Sequence, residues 1–384
     1  MINLLTKEFN RIFNRNDGVA YFSPGRVNLI GEHIDYNGGF VFPAAISIGT
    51  YGIVAKREDR IFRVFSNGFS ETIYEFDLNS LRKDDDASWV DYIKGVILET
   101  KIHGRTITHG FDLYIHGTMP EGCGLSSSAS LECLVITILD DLNDFHLSFE
   151  QKATIGKATE NNFIGLNSGI MDQFAVIAGK KGQAILLDTA TLEYKYSPID
   201  LGKYQLLVVN TNKKRELKDS KYNQRFAECQ EALAIIKTVY NVNNICAISS
   251  SELKTIKHLF PPLIYKRALH AISEQERTLK SFDALQKQDI ITFASCLTAS
   301  HASLRDDYEV TGLELDTLQE ALLSNGCLGA RMTGAGFCGC AIAIAEKDKV
   351  AQIQKRVIDD YRNVIGYEPS FYVVNISDGT KRIQ

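Results

Sequence analysis

No run of apolar residues in this chain approaches the roughly 20 that a membrane-spanning helix needs. No charge of one sign dominates: 42 Lys and Arg face 47 Asp and Glu, a formal net charge of −5 spread thinly along the chain. That balance argues against a nucleic-acid partner held through its phosphate backbone, while leaving room for a local basic site. The only charge cluster, Lys83–Asp86, reads as a solvated loop. The eight cysteines (123, 133, 229, 246, 296, 327, 338 and 340) include no Cys-x-x-Cys pair and sit mostly inside apolar stretches. Buried, reduced thiols are therefore expected rather than disulfides or a zinc site. An uninterrupted apolar signal segment is lacking as well. Met1 to Phe13 instead spaces Ile2, Leu5, Phe9, Ile12 and Phe13 among Lys7, Glu8 and Arg11, the pattern of an amphipathic helix. Internal repeats and low-complexity tracts are missing. These absences describe a soluble, cytoplasmic, globular protein with no membrane partner.

What is present is chain enough for a large core: 384 residues, 45% hydrophobic, or about two domains at ~100–200 residues each. Strand-like segments rich in Val, Ile, Phe and Tyr fill the first third, at Val19–Phe22, Phe40–Val54, Arg60–Phe65, Thr72–Asp77 and Gly110–His116. The stripe of Trp89, Tyr92, Ile93, Val96 and Ile97 predicts a helix over Trp89–Ile102, and two more follow at Ser128–Leu142 and Phe149–Phe163. Beyond them, strands at Ala184–Asp188 and Gln205–Asn210 lead into long helical patterns at Lys218–Val239, Ile264–Leu285 and Asp289–Ser303. A helix near Gly312–Ser324 precedes a Gly-rich loop, a strand at Gly339–Ala345, a helix at Lys347–Tyr361 and a last strand near Ser370–Asn375. Strands and helices mixed without a strict βαβ rhythm predict an α+β fold. The boundary falls near 170–200, drawn as domains 1–180 and 181–384.

Three glycine-bearing motifs carry the chemistry. The first, Gly25 to Gly39, crowds Arg26, Glu32, His33, Asp35 and Asn37 together behind Pro24. It is not expected to be a core strand, because its polar groups would go unpaired. So many donors and acceptors suit a polyhydroxylated ligand, each hydroxyl of which gives and accepts a hydrogen bond; the alternative is an ordinary polar loop. His33 and Asp35 lack the i,i+4 helical spacing of a zinc pair. In the second motif, Gly122, Cys123, Gly124 and Leu125 lead into Ser126, Ser127 and Ser128 and then an apolar helix. Amides at a helix start, approached through glycines, suit a phosphate, and the serine hydroxyls could serve a hard cation or simply cap the helix. No Walker A sequence occurs anywhere. The third motif, Gly329 to Cys340, formally contains the Gly334-x-Gly336-x-x-Gly339 dinucleotide fingerprint. A buried strand follows it rather than a helix, so it is read as a loop packed against another backbone or against phosphates. No kinase His-Arg-Asp or Asp-Phe-Gly set is present. Two acids lie between the second and third motifs, Glu160 and Asp172. A cation held between the serine loop and one carboxylate, with a second carboxylate facing a hydroxyl, is a minimum kit for phosphoryl transfer.

The order of the three motifs resembles the GHMP small-molecule kinases, and the first resembles the galactokinase signature within them. Gly169-Ile-Met-Asp172-Gln-Phe174, the Trp89, Tyr92, Gly95 helix and Ser220-Lys-Tyr222-Asn-Gln-Arg225 fit the same family, and the likeness runs over essentially the whole chain. It implies an N-terminal domain like ribosomal protein S5 domain 2, a C-terminal ferredoxin-like domain, and a site in the cleft between them. It implies ATP as co-substrate, Mg²⁺, and galactose as the acceptor, in a monomer. Asp172 would take the proton from the sugar 1-hydroxyl, and Arg26 would stabilise transition-state charge and keep that base ionised. Glu32, His33, Asp35 and Tyr222 would hold sugar hydroxyls. Gly122, Cys123, Gly124, Leu125, Ser126, Ser127 and Ser128 would cradle the ATP phosphates, with Ser66 a further nucleotide contact and Ser128 and Glu160 on the metal. Ile34 is counted with the sugar segment; it stands where the signature has Thr and is expected to turn toward the core. Cys338 replaces a usual Gly, which a small thiol tolerates unless the backbone there needs a positive φ. Two rivals remain: a related kinase for an N-acetylated hexosamine, and a non-catalytic sugar- and ATP-binding sensor that would have no need of a base.

Overall fold

The computed structural model describes all residues except 85–87, 121, 214–217 and 384, and residues 218–220 by their backbone alone. Part of the Lys83–Asp86 cluster and the side chain of Ser220 thus lie outside the described residues. In chain order the first half contains α1 (Ile2–Phe13), β1 (Val19–Asn28), β2 (Phe40–Val41), β3 (Pro43–Lys56), β4 (Ile61–Ser66) and β5 (Tyr74–Asp77). Then come α2 (Trp89–Ile102), β6 (Phe111–Gly117), α3 (Ser127–Asn143), α4 (Phe149–Ala158), α5 (Met171–Ala178), β7 (Gln183–Asp188) and β8 (Tyr194–Pro198). The second half has β9 (Tyr204–Asn210), α6 (Lys218–Ile236), α7 (Ser250–Thr255), α8 (Pro262–Gln286), α9 (Ile290–Asp306) and α10 (Leu313–Ser324). It ends with β10 (Gly329–Thr333), β11 (Cys340–Glu346), α11 (Val350–Ile365), β12 (Ser370–Tyr372) and β13 (Lys381–Arg382).

Side chains alternate across the strands of a six-stranded sheet, ordered β13-β1-β3-β6-β4-β5. Ile53, Ala55 and Tyr114 meet the apolar stripe of α1, while Val54, Leu113 and Ile115 pack on the other face against α2 and α3. A second, antiparallel sheet runs β10-β11-β9-β12. With helices between β9 and β10 and α11 between β11 and β12, that order is the ferredoxin-like one. A ribbon, β2-β7-β8, pairs residues 40–41 with the chain after 183, and β13 returns to pair with Tyr21 and Phe22 of β1. The fold is α+β, as expected.

Three departures from the sequence reading have physical causes. The first motif does begin as a core strand, since β1 continues through Arg26, Val27 and Asn28: the Arg26 guanidinium is bonded to Asp172 and Gly124 and the Asn28 peptide to Thr333, although the Asn28 side-chain amide is buried without a partner among the described residues. Helix α5 went unread because nearly all of it is buried, leaving no polar face to mark a period. The segment Gly329–Thr333, taken as loop for its glycine, is the wholly buried edge strand β10.

Asp112 at the start of β6 gathers the far side of the sheet. Its carboxylate, fully buried, accepts from Arg63 on β4 (2.6 and 2.8 Å), Arg57 after β3 (3.1 Å) and Arg15 after α1 (3.0 Å). Burial alone would raise this carboxyl; the hydrogen bonds from Arg63, Arg15 and Arg57 hold it below its usual 3.8. A depressed acid adds stability that is present above pH 3.8 and is lost as pH falls through the folded-state value. Asp112→Asn should therefore lower unfolding free energy by about 1.5–3 kcal/mol at neutral pH. Denaturant titrations at several pH values should show the gap closing below 3.8. A gap independent of pH would remove the charge from the explanation.

Candidate active site

Strand β1 is interrupted by a bulge between Pro24 and Gly25, which turns the following residue toward the cleft. A side chain on Gly25 would stand 2.8 Å from the Leu125 carbonyl, so only glycine lets the second motif come this close. Arg26 uses the proximity. Its Nε and Nη2 donate to the two oxygens of Asp172 at 2.7 and 2.6 Å, and Nη1 donates to the Gly124 carbonyl at 2.7 Å. Asp172 lies in the first turn of α5, where a carboxylate suits the positive helix end. Ser126 donates its hydroxyl to the same carboxylate. Oδ2 thus takes two donors and Oδ1 one.

Ser126 spends its hydroxyl on Asp172 and gives α3 no side-chain cap, leaving the first-turn amides of that helix for a ligand. Around it Gly122, Gly124 and Ser126 itself have positive φ, a cost of order 1–3 kcal/mol for the serine. The third motif closes over this loop backbone to backbone. A Cβ on Gly334 would meet the Gly124 carbonyl at 2.8 Å, and one on Gly339 the Cys123 carbonyl at 2.9 Å. Gly334, Gly336, Phe337 and Gly339 have positive φ; Cys338 does not, so the thiol there costs the loop nothing.

Glu160 sits where α4 loosens into a wider π-type turn over residues Thr159–Ile164, a helix irregularity frequent at functional sites. Gly95 of α2 makes room for that turn: a Cβ there would strike Thr159 at 2.8 Å. The Glu160 carboxylate accepts from Ser128 at 3.0 Å and from Ser168. Among the described residues no Lys or Arg pairs with it, and burial pushes its carboxyl above the usual range, with Asp172 adding to the push. A buried anion whose bonded partners are all neutral suits a hard cation, although no cluster of three or more His, Cys, Asp or Glu able to hold a metal occurs among the described residues.

The peptide groups after β1 are gripped by side chains from the second half. Arg331 of β10 donates to the carbonyls of Asn28 and Leu29, both at 2.9 Å, and to the Glu32 carboxylate. Glu274 of α8 accepts from the amides of Gly31 (3.0 Å) and Glu32 (3.2 Å), and His270 meets the Glu32 carbonyl at 3.1 Å. Burial pushes the Glu32 carboxyl up, against the pull of Arg331 and Arg26. His33 is held through both ring nitrogens, and burial lowers its pKa to about 3, leaving it neutral. Asp35 packs on Gly169, where a Cβ would collide with its carboxylate at 1.9 Å. Its pKa rises to about 7 through burial first, then the charges of Asp172 and Glu32.

Apart from Ile34, Leu125 and Ser66, every candidate residue lines one cleft of about 920 Å³. Ile34 is fully buried in the core between α5 and β7, and its Thr-to-Ile departure is spent there. Leu125 is a core side chain whose carbonyl accepts from the Arg26 amide at 3.1 Å. Ser66 ends β4 and is buried, with its amide bonded to the Ser70 hydroxyl, and is not among the residues lining that cleft. The sequence reading missed Ser168, Gly169, Ala335, Arg331, Glu274 and His270. Gly-Ala-Arg331-Met-Thr333 offered a signal, since an arginine and a threonine alternate on one face of what proves a strand; the α8 pair offered none. A guanidinium–carboxylate pair, a glycine loop at a helix start and a buried hydroxyl–carboxylate pair together can bind a polyphosphate and move a proton.

Comparison with known proteins agrees with this chemistry. Residues 7–56 match the galactokinase galactose-binding signature, 91–180 the GHMP kinase N-terminal domain and 281–363 the GHMP kinase C-terminal region. The chain is 48% identical to a galactokinase of Clostridium acetobutylicum, covering 100% of this chain and 99% of that one. It is also 48% identical to one of Staphylococcus carnosus, covering 100% of both. The crystal structure of Lactococcus lactis galactokinase complexed with galactose superposes with a TM-score of 0.97 at 46% identity, over 100% of both chains. A mevalonate kinase structure, at TM-score 0.63 and 17% identity over 94% of this chain and 99% of that one, shares the fold.

The raised Asp35 carboxyl makes the site testable without a ligand. An acid whose folded pKa stands near 7 instead of 3.8 disfavours the fold in its ionised form. That cost grows as pH climbs from 3.8 to about 7 and is constant above. Asp35→Asn should thus be more stable than the parent at pH 8, and the advantage should shrink toward zero at pH 4. Equal stabilities across that range would show that Asp35 is not strained by its neighbours.

Proposed function

The chain belongs to the galactokinase family of GHMP kinases, and from that membership we propose how its cleft works. It is a sugar kinase that transfers the γ-phosphoryl group of ATP to O1 of galactose. The observation that carries the residue assignments is the convergence of Arg26 and Ser126 on Asp172, which joins the first and second motifs at one carboxylate. Galactose lies against Glu32, the His33 main chain, Asp35 and Tyr222, with its 1-hydroxyl at Asp172 Oδ1, the oxygen with fewer donors. Asp172 accepts the hydroxyl proton as O1 attacks, while Arg26 faces the charge growing on the phosphoryl oxygens. The ATP phosphates lie along Gly122–Ser128 on the free amides of α3. Mg²⁺ fits beside Ser128 and Glu160, which offer a hydroxyl and an otherwise uncompensated buried carboxylate. Bound there with ATP, it would neutralise phosphate charge. The galactose-binding signature over residues 7–56 favours galactose over an N-acetylated hexosamine. We place the division of the chain near residue 180, and the working protein in the cytoplasm as a monomer without a nucleic-acid partner; eight cysteines, mostly buried and with no Cys-x-x-Cys pair, suit a reducing compartment.

Asp172→Asn keeps shape but cannot take the proton, so kcat should fall ~10²–10⁴ with galactose affinity retained. Arg26→Ala should cost ~10³–10⁵. Because both act in one transition state, the double variant should lose far less than the product of the two. Wild-type turnover in Asp172→Asn would end its role as base, and multiplicative losses would separate the two residues. Glu160→Gln should raise the Mg²⁺ concentration needed for half-maximal rate and leave nucleotide-free galactose binding unchanged, as read by calorimetry. An unaltered Mg²⁺ titration would remove Glu160 from the metal site.

A further inference from the structure

His33 lies in the sugar segment, yet both of its ring nitrogens are occupied by protein. Nε2 stands 3.1 Å from the Ala335 carbonyl and Nδ1 2.8 Å from the Tyr36 hydroxyl. A carbonyl only accepts, so Nε2 carries the proton, and in a neutral ring Nδ1 must then accept from Tyr36. The Tyr36 oxygen is left to accept from Tyr308 at 2.8 Å, and the Tyr308 oxygen from the Cys229 thiol at 3.0 Å. Every hydrogen in this buried chain therefore has one orientation, running from Cys229 through Tyr308 and Tyr36 to His33 and out to Ala335. Asn37 ties both ends, donating to the His33 carbonyl at 2.9 Å and to Cys229 at 3.4 Å. The ring is wedged among Tyr36, Tyr222 and Tyr308, with centroids 6.0, 5.4 and 4.9 Å away, and His33 itself has φ +60. A non-glycine residue held in that conformation marks a position fixed by its surroundings.

Ala335 lies between Gly334 and Gly336 in the loop that rests on Gly124, and the Gly124 carbonyl accepts from Arg26. We propose that the His33 side chain is a positioning residue for the nucleotide site: it latches the third-motif loop over the phosphate loop, and does not itself read a sugar hydroxyl. Its sugar contact is left to the main chain. This inference rests on the nucleotide assignment above and goes beyond it by placing a residue of the galactose-binding segment in ATP affinity. A ring with no spare nitrogen cannot bond a hydroxyl without releasing Ala335 or Tyr36. The loop has positive φ at Gly334, Gly336, Phe337 and Gly339; its far end is tied to Val310 and Thr211 through Phe337 and Gly339, and His33 holds it at Ala335.

The test uses equilibrium binding of Mg²⁺ and a non-hydrolysable ATP analogue, measured without galactose, on the parent and two variants. Glutamine places its amide nitrogen near the His Nε2 position, whereas asparagine reaches only Nδ1. His33→Asn should weaken nucleotide binding about 3- to 10-fold, the loss expected for one hydrogen bond, and His33→Gln should restore it to within about twofold. Tyr36→Phe, which deletes only the relay hydroxyl, should weaken nucleotide binding in the same direction and gives a reading independent of any folding defect at position 33. Nucleotide affinity equal to the parent's in both His33→Asn and Tyr36→Phe would overturn the latch. So would a loss of galactose affinity alone, shared by the Asn and Gln variants, which would make the ring a sugar ligand. Failure of the parent itself to bind the analogue would instead fault the nucleotide assignment, so the two failures read differently.

Discussion

The Gly124 carbonyl is held between Arg26 Nη1 at 2.7 Å and the backbone of Gly334, and the cleft depends on three chain segments coming that close together. Side chains cannot mediate such an approach. A methyl on Gly334 would stand 2.8 Å from that carbonyl, and one on Gly25 2.8 Å from the next carbonyl along, Leu125. Glycine at both positions brings the first and third motifs onto the second loop from opposite sides. Once the loop is fixed, Ser126 is forced to positive φ, its hydroxyl falls on Asp172 instead of capping α3, and the helix start is left open. Geometry that elsewhere would be a fault leaves an open helix start suited to an anion.

The same closeness concentrates negative charge. Glu32, Asp35, Glu160 and Glu132 all have carboxyls pushed above their usual range, and burial is the leading cause for each. Among the described residues, Arg331 is the one cation that reaches this group with a hydrogen bond, to Glu32, while Arg26 bonds the neighbouring Asp172. The remaining acids have hydroxyl, amide or backbone partners: Ser128 and Ser168 for Glu160, Gln173 for Glu132, the Tyr36 amide for Asp35. Folding into this state costs free energy that a bound cation and hydroxyl-rich ligand would recover, which is the usual relation between a site and the scaffold that holds it.

Much of this was legible in the sequence where local pattern and tertiary role coincide. Helix α2 was read to its end residues from a stripe of five apolar side chains, and the structure adds a Ser88 capping box at its start. Arg26, Asp172, Glu160 and the serine loop, read as candidates from separate motifs, do meet in one cleft. What failed did so where tertiary contact overrides local signal. Arg26 to Asn28 looked too polar for a core strand, but the strand obtains its polar partners from residues up to 305 positions away, as with Thr333 and Asn28. Nothing in the Phe149–Phe163 helical pattern marks the π turn that aims Glu160.

Helix α8 is the clearest inversion. Arg267, His270, Glu274, Thr278 and Ser281 recur at helical spacing on a polar stripe, yet all five are buried, while Leu263 and Leu279 are exposed. Burying such a stripe costs little only where its groups are satisfied, and apart from the Ser281 hydroxyl, which has no partner among the described residues, they are: by the peptide groups of Gly31 and Glu32, the Glu274 carbonyl, the Ser300 and Ser303 hydroxyls and the carboxylate of Glu228. Burial would raise the Glu274 carboxyl, but Arg277, His270 and Arg331 keep it well below the usual range, so the acceptor is a charged one and its bonds to the Gly31 and Glu32 amides are the stronger for it. The sugar segment, which has neither a full strand nor a helix of its own to satisfy its backbone, borrows that satisfaction from the second half of the chain. Its conformation is therefore a property of the contact between the two halves. A segment with the same residues but without α8 and β10 behind it would have no reason to hold Glu32, His33 and Asp35 toward one cleft.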